Sequence, residues 1–378
     1  MDAYSPVQVN RIRLFSRFPH VLATSSDDEL VRVFTTSKAD KDPYKPPCEP
    51  DLRLVDNQER APFALATSQT GSSVASGTST GERVVRVWDI EDHVSAGLVN
   101  KRSKGTTEVR ARSLFKGHQK EIEDVCFHPN ESDKLASVAE DGTLMLYDAR
   151  KGSSPARAVK FEGHPANLRC VDWNTRDPNH VAIGDADGVL RILDLRNPAK
   201  DLIKAHEHSG ELLSVRWNPA DSKILMTGGE DCFVNLWITR QEASRMPDGS
   251  KPIRHKMLLL SYKSNGRVQE TVWNPTSAHC VLNVSTGDNE ESSSVDNNGT
   301  MNNSSSFLEV WRPWDMIFLS ETDAIARIRN LWCAKAAVCS QRVSTCRFRS
   351  ISLWLAAFAI VLTHSAQGQG GDLGSLPL

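Results

Sequence analysis

The chain has 378 residues, with 45 Lys and Arg against 47 Asp and Glu, for a formal net charge of −2 and a sequence pI near 6.6. Hydrophobic residues make up 39% and charged residues 24%, which fits a soluble globular protein with a sizeable core, as two average domains or one large all-β domain. This balance gives no global field for nucleic acid or an anionic membrane, so a charge-based partner needs a local patch. The eight cysteines form no CxxC pair. Four of them stand isolated in apolar or strand-like settings, as in "DVCFH" and "RCVDW", and read as buried thiols of a reducing compartment rather than disulfides or a zinc site. The N-terminal stretch lacks the apolar region of a signal peptide. The apolar run Ile351 to Thr363 is short of the roughly 20 residues a membrane span needs.

In chain order, Val7 to Phe34 reads as short strands, followed by a Pro-rich connector, Lys41 to Pro50. Pro62 to Asp89 is a second strand-rich segment. Glu91 to Arg112 reads as a long loop carrying Lys101, Arg102, Lys104, Arg110 and Arg112. It is either a nuclear-import or phosphate-contacting patch or a solvated, mobile connection. "EDVCFHP" alternates and stops at Pro129, and "KLASVA" and "TLMLYDA" flank "EDG", a hairpin-turn signal. "HVAIGDADGVLRILDL" and "KILMTGGEDCFVNLWI" repeat that form. "RVQETVWNPTSAHCVLNVSTGD" starts another copy, resumed by "FLEVWR" after the Ser/Asn-rich loop Asn289 to Ser306, which is expected to be disordered. No segment sustains a period of 3.6, so several strands per repeat are expected.

The repeats share a ruler. Nine residues after His118, His164 and His208 stand Phe127, Trp173 and Trp217. Twenty-three residues after them stand Asp141, Asp187 and Asp231, and twenty-nine residues after them Tyr147, Leu193 and Trp237. A catalytic base should occur once, not once per repeat. "HEH", His206 to His208, suggests a metal pair, but His208 sits on the ruler. No GxSxG, P-loop, HExxH or Rossmann fingerprint is present with the right flanks. The chain is therefore expected to be no enzyme, with no metal and no cofactor.

The spacing of the copies resembles the period of about 40–45 residues in WD repeats of a β-propeller. Six repeats are recognisable from Val7 to Trp314, of the seven blades such a ring usually has. The resemblance implies that the GH histidine, a strand Ser or Thr, the turn Asp and the strand-end Trp form one hydrogen-bonded network per blade. The fifth copy supplies His208, Thr227, Asp231 and Trp237; the third supplies His118, Ser137 and Asp141, with Tyr147 for Trp. The fourth keeps His164 and Asp187, but Ile183 and Leu193 shorten its network.

"NRIR", "PDLRL", "FALA", "WDIEDH", "GHQKEIEDVCFHP", "SVAEDGTLMLYDAR", "LRCVDWN" and "LEVWRPWDMIF" follow in order. Together they resemble the retinoblastoma-binding, MSI-like histone-chaperone family of WD proteins, nearest its plant branch linked to flowering time and histone deacetylation. The likeness spans about residues 5 to 318, taken as one propeller domain (1–318) followed by a divergent tail (319–378). It implies a nuclear, non-catalytic subunit of deacetylase, Polycomb-type or chromatin-assembly complexes that represses transcription. Its implied partners are histones H3 and H4, with no direct membrane partner and nucleic acid at most indirect. Histone-tail binding falls to Glu121, Glu123 and Glu211 on the top face, where the fourth repeat has Asn167 and Arg169 instead.

Some features depart from that family. The chain starts at the repeat the family has second, so an open ring short of a blade is expected, with one wall of the H4 side groove missing. "RQEASRMPDGSKPIRHK" is basic where the family loop is acidic. The tail from Leu319 carries Cys333, Cys339 and Cys346 without zinc spacing. Finally, "LYDAR" and "ILDLR" resemble the WDxR element that docks the cullin-4 ligase adaptor, through Asp148, Arg150, Asp194 and Arg196. The alternative is ordinary strand-end charge.

Overall fold

A computed structural model describes residues 9–26, 30–35, 50–55, 63–78, 81–95, 106–161, 167–239, 258–274, 280–287 and 305–311. The connector 41–49, the basic segment 240–257, most of 289–306, the tail from 319 and His164 lie outside them.

The described strands form six sheets, antiparallel but for one added strand in the first, arranged as the blades of a propeller, as the repeats led us to expect. The first holds β1 (Val9–Leu14), β2 (Val21–Ser26), β3 (Val31–Thr35) and β4 (Leu52–Leu54). The second holds β5 (Leu65–Thr67), β6 (Ser73–Gly77) and β7 (Val85–Asp89). The polypeptide then forms a short helix, α1 (Glu91–Ser95). It returns to the first sheet as β8 (Thr107–Val109), parallel to β4, before completing the second sheet as β9 (Ser113–Phe115). The reading of 91–112 as a free loop is thus corrected for its described residues. Val55 N–H donates to the Val109 carbonyl at 2.9 Å, Trp88 Nε1 donates to the Val55 carbonyl at 2.8 Å, and Arg112 pairs with Asp89 at 3.2 Å. Lys101, Arg102 and Lys104 lie outside the described residues.

Three four-stranded sheets follow. They are β10 (Ile122–Phe127) to β13 (Arg157–Lys160), β14 (Leu168–Trp173) to β17 (Asp201–His206), and β18 (Leu212–Trp217) to β21 (Leu258–Lys263). Their middle strands are β11 (Lys134–Ala139), β12 (Thr143–Asp148), β15 (His180–Asp185), β16 (Val189–Asp194), β19 (Ile224–Gly229) and β20 (Phe233–Ile238). The sixth sheet holds β22 (Arg267–Trp273), β23 (Val281–Gly287) and β24 (Ser305–Trp311), so "FLEVWR" does resume the last repeat.

Middle strands are buried on both faces because each sheet is covered by its neighbours, and all six residues of β19 are buried. The core therefore lies in layers between blades. Val138 and Leu144 of the third sheet meet Val171, Val181 and Ile183 of the fourth. Burying such a side chain stabilises by roughly 1.5–3 kcal/mol. The approach is close where one sheet's second strand passes the next sheet's first. A Cβ on Gly228 would lie 2.6 Å from Val268 Cγ1 and 2.8 Å from Thr271 Cγ2, so only glycine fits.

In five of the six described sheets, all but the second, the innermost strand pair carries a bulge near its start, between Val9 and Arg11, Ile122 and Asp124, Leu168 and Cys170, Leu212 and Ser214, and Val268 and Glu270. A bulge leaves one residue unpaired and re-aims its side chain. Glu123 and Arg169 occupy this position in the third and fourth sheets. Arg11 and Arg13 of β1 reach Glu270 of β22 at 3.3 and 2.6 Å, so side chains of the first and sixth sheets meet. Among the described residues no helix is long and apolar enough to cross a membrane.

Candidate functional site

Two of the repeated histidines, His118 and His208, are parts of buried polar networks. His118 Nδ1 lies 3.1 Å from Asp141 Oδ2, and its Nε2 lies 2.7 Å from Ser137 Oγ. His208 Nδ1 lies 3.0 Å from both Asp231 oxygens, and its Nε2 lies 2.8 Å from Thr227 Oγ1. A carboxylate only accepts, which assigns the Nδ1 proton to the side facing Asp and leaves Nε2 to accept from the hydroxyl. Trp237 Nε1 donates to Thr227 Oγ1 at 2.9 Å, completing the fifth-repeat set. Burial pushes Asp141 up, but hydrogen bonds from His118 and the Gln119 N–H win and hold it at about 2. Asp231 is held below the usual range in the same way.

Two members behave differently from the ruler's expectation. The Tyr147 hydroxyl donates to Met145 Sδ at 3.2 Å, and burial pushes it up to about 12. In the fourth repeat Asp185, not Asp187, accepts the turn N–H groups, from Asp187 at 3.1 Å and from Val189 at 2.8 Å. The sequence also hid a variant network in the sixth repeat, which has no GH. Trp311 Nε1 donates to Asn283 Oδ1 at 2.8 Å, Asn283 Nδ2 donates to Ser264 Oγ at 3.1 Å, and Ser264 donates to Glu309 at 2.6 Å. His206 is exposed, while the His208 ring faces Thr227 and Asp231, so "HEH" does not converge.

Toward the middle of the ring, polar side chains stitch neighbouring inner strands. Asp124 accepts from Val171 N at 3.2 Å, Asp172 from Trp217 N at 2.7 Å, and Ser214 from Thr271 N at 3.1 Å. Burial pushes Asp172 up to about 6, against the pull of Arg216. Glu270 is also pushed up by burial, but Arg13, Arg11 and Arg216 overcome that push and hold it at about 2. Cys126 and Cys170 are buried and free, and burial raises both thiols, as suits structural rather than reactive cysteines.

The end of the ring where the inner strands begin is the top face expected to carry Glu121, Glu123 and Glu211. Arg169 Nη1 lies 2.8 Å from Glu123 Oε1 and 3.4 Å from Glu140 Oε1, while its Nε lies 3.0 Å from Glu211 Oε2. Acids of the third and fifth sheets thus meet on one guanidinium of the fourth. Glu140, in the turn after β11, was missed because the turn reads as a generic "EDG". Glu121 stands beside this group, its carbonyl accepting the Glu140 N–H at 3.0 Å. Burial drives Glu123 up to about 7, with Arg169 opposing and Glu121 and Glu140 adding to it. Further round, Arg267 pairs with Glu230 at 2.8 Å.

At the opposite end, Arg150 grips Asp148 through Nε at 2.8 Å and Nη2 at 2.9 Å, and reaches Glu131 at 3.1 Å. Arg196 folds back on Asp194 at 2.6 Å. The two forks occupy equivalent places in adjacent blades, with arginine side chains 56% and 68% exposed.

Residues 110–148, 156–194 and 200–237 match the family of the WD domain, G-beta repeat. Over 350 residues the chain is 28% identical to the WD-40 repeat-containing protein MSI4 of Arabidopsis thaliana. The match covers 86% of this chain, which spans 66% of the length of that relative.

Proposed function

We propose that this chain, a WD-repeat propeller scaffold similar to MSI4, is a nuclear, non-catalytic histone-binding subunit of chromatin-modifying complexes. Deacetylase, Polycomb-type and chromatin-assembly complexes are the candidates, and repression of transcription is the outcome. The observation that carries the reading is the gathering of Glu123, Glu140 and Glu211 from three turns and strand starts at one mouth of the ring. Carboxylates there favour a Lys- and Arg-rich segment, such as the histone H3 tail, over neutral or acidic chains. His118 and His208 are committed to their blades, which favours a surface site over one built on these histidines.

The test is a calorimetric titration of the purified chain, first checked for cooperative unfolding, against an unmodified H3 tail peptide. Binding should weaken with salt and by about tenfold on Glu211→Lys, through lost attraction and new repulsion. A cooperatively folded chain that ignores the peptide would rule the reading out.

A second reading is supported by the matched Asp148–Arg150 and Asp194–Arg196 forks. They present the same exposed, hydrogen-bonded pair in adjacent blades, as a surface for the cullin-4 ligase adaptor. Adaptor binding lost on Arg150→Ala with Arg196→Ala, and H3 affinity unchanged, would support it. Retained adaptor binding would remove it.

A further inference from the structure

We infer that Arg169 is an internal stand-in for a ligand's arginine, so that the top mouth is self-occupied and a guanidinium-bearing peptide binds by displacing it. This rests on the cationic-segment reading above and adds to it how the site is regulated.

Four observations converge. Arg169 and Glu123 stand at the equivalent bulge position of adjacent sheets, where a side chain is freed from the pairing pattern and aimed at the rim. The corresponding residues of the other bulges, Asn10, Leu213 and Gln269, carry no charge. One guanidinium engages carboxylates contributed by both flanking sheets, donating from Nη1 to Glu123 on one side and from Nη2 to Glu211 on the other, with Nε 3.0 Å from Glu211 but without a hydrogen bond. A planar fork with donors on several edges suits such a span, and an ammonium does not. The engagement is also incomplete. The Glu140 contact is 3.4 Å, the second Glu211 contact is 3.4 Å, and the Arg169 side chain stays 22% exposed. Such partly exposed ion pairs contribute little individually and are weakened by salt. With Arg169 in place, three carboxylates face one cation; with it rotated out, the mouth presents all three to an incoming guanidinium.

The test compares full-length wild type with Arg169→Gln in two measurements. Thermal unfolding is followed in a few millimolar guanidinium chloride against matched sodium chloride, far below denaturing concentrations. Peptide affinity is measured with an unmodified H3 tail. Guanidinium should raise the unfolding midpoint of the variant and leave wild type unmoved, and the variant should bind the peptide about fivefold more tightly. No guanidinium effect together with unchanged or weaker peptide binding overturns the inference and leaves the histone reading standing. Guanidinium rescue without peptide binding by either protein supports the self-occupied mouth and removes the histone reading. If Arg169→Gln does not fold, Arg169→Lys serves instead. An ammonium cannot span the three acids, so tighter peptide binding than wild type is expected, and equal or weaker binding overturns the inference.

Discussion

Arg13 of the first sheet and Glu270 of the sixth are 257 residues apart in sequence and 2.6 Å apart in space. The same Glu270 oxygen receives Arg216 of the fifth sheet at 3.0 Å, with Arg11 at 3.3 Å. One carboxylate, 9% exposed, therefore links the two ends of the blade series through side chains. Removing one member of a buried ionic group leaves the others desolvated and unpaired, at a cost of roughly 3–5 kcal/mol. Glu270→Ala should lose about that much in urea unfolding, and Glu270→Gln somewhat less because it keeps one acceptor. A loss below about 1 kcal/mol would mean that this contact does not hold the series together.

Thr227 joins two buried donors and acceptors through one hydroxyl. It accepts from Trp237 at 2.9 Å and pairs with His208 Nε2 at 2.8 Å. Thr227→Val keeps the shape and strips the hydroxyl, taking the partner from Trp237 Nε1 and leaving His208 Nε2 only Asn235 Nδ2, at 3.1 Å. The expected loss is about 2–3 kcal/mol by chemical denaturation, with Thr227→Ser close to wild type. Equal losses in the two variants would assign the cost to packing instead.

The ruler was legible because each blade repeats the same strand lengths and turns, so His208, Thr227, Asp231 and Trp237 fell at fixed offsets. It failed where a residue type can serve from two places. "DADG" offers both Asp185 and Asp187, and ungapped counting selects Asp187, while the structure bonds Asp185. The Ser264, Asn283 and Glu309 network carries no GH and is split by the polar insertion, so spacing could not find it. Strand β8 escaped notice because three residues, "TEV", beside a basic segment have no alternation to read. The Arg169 cluster was half visible. A cation in the acidic row was plain in the sequence, but only the bulge geometry shows that it lies between Glu123 and Glu211.

Cation binding at the top should depend on pH through Glu123. Burial pushes its pKa up to about 7, so a proton leaves as the pH rises through neutrality. Peptide affinity should rise between about pH 6 and about pH 8, and Glu123→Gln should flatten and lower the profile. The same shift sets a stability effect of the opposite sense. The folded chain holds a proton that the unfolded chain has released above about 4.5, so this group's contribution falls as pH rises from there through 7. A flat wild-type affinity profile over that range would show that Glu123 is not the titrating group.

His128 does the work of an asparagine. Its Nδ1 accepts from Asn130 N at 3.2 Å and Glu131 N at 3.1 Å. Asn174 accepts in the same way from Arg176 and Asp177, and Asn218 from Ala220 and Asp221. Protonation turns Nδ1 into a donor and ends both bonds. Burial accordingly lowers the His128 pKa, against a raising influence from Glu131, while Lys134 adds to the lowering. A histidine lowered on folding contributes stability above its unfolded pKa, near 6.5, and loses it as the pH falls through the folded value. Urea midpoints of wild type should therefore drop between about pH 7.5 and about pH 5.5. His128→Asn keeps the acceptor, so its midpoint should change less over that window. The substitution forfeits the edge-on contact of His128 with Trp173, at 4.8 Å between ring centroids, at a cost of about 0.5–1.5 kcal/mol at every pH. Parallel pH profiles for the two proteins would assign the acid sensitivity elsewhere. A profile flattened in the variant would fix it to this one turn, whose Glu131 also holds Arg150 at 3.1 Å, and so tie the exposed fork at this end of the ring to the protonation state of a single imidazole.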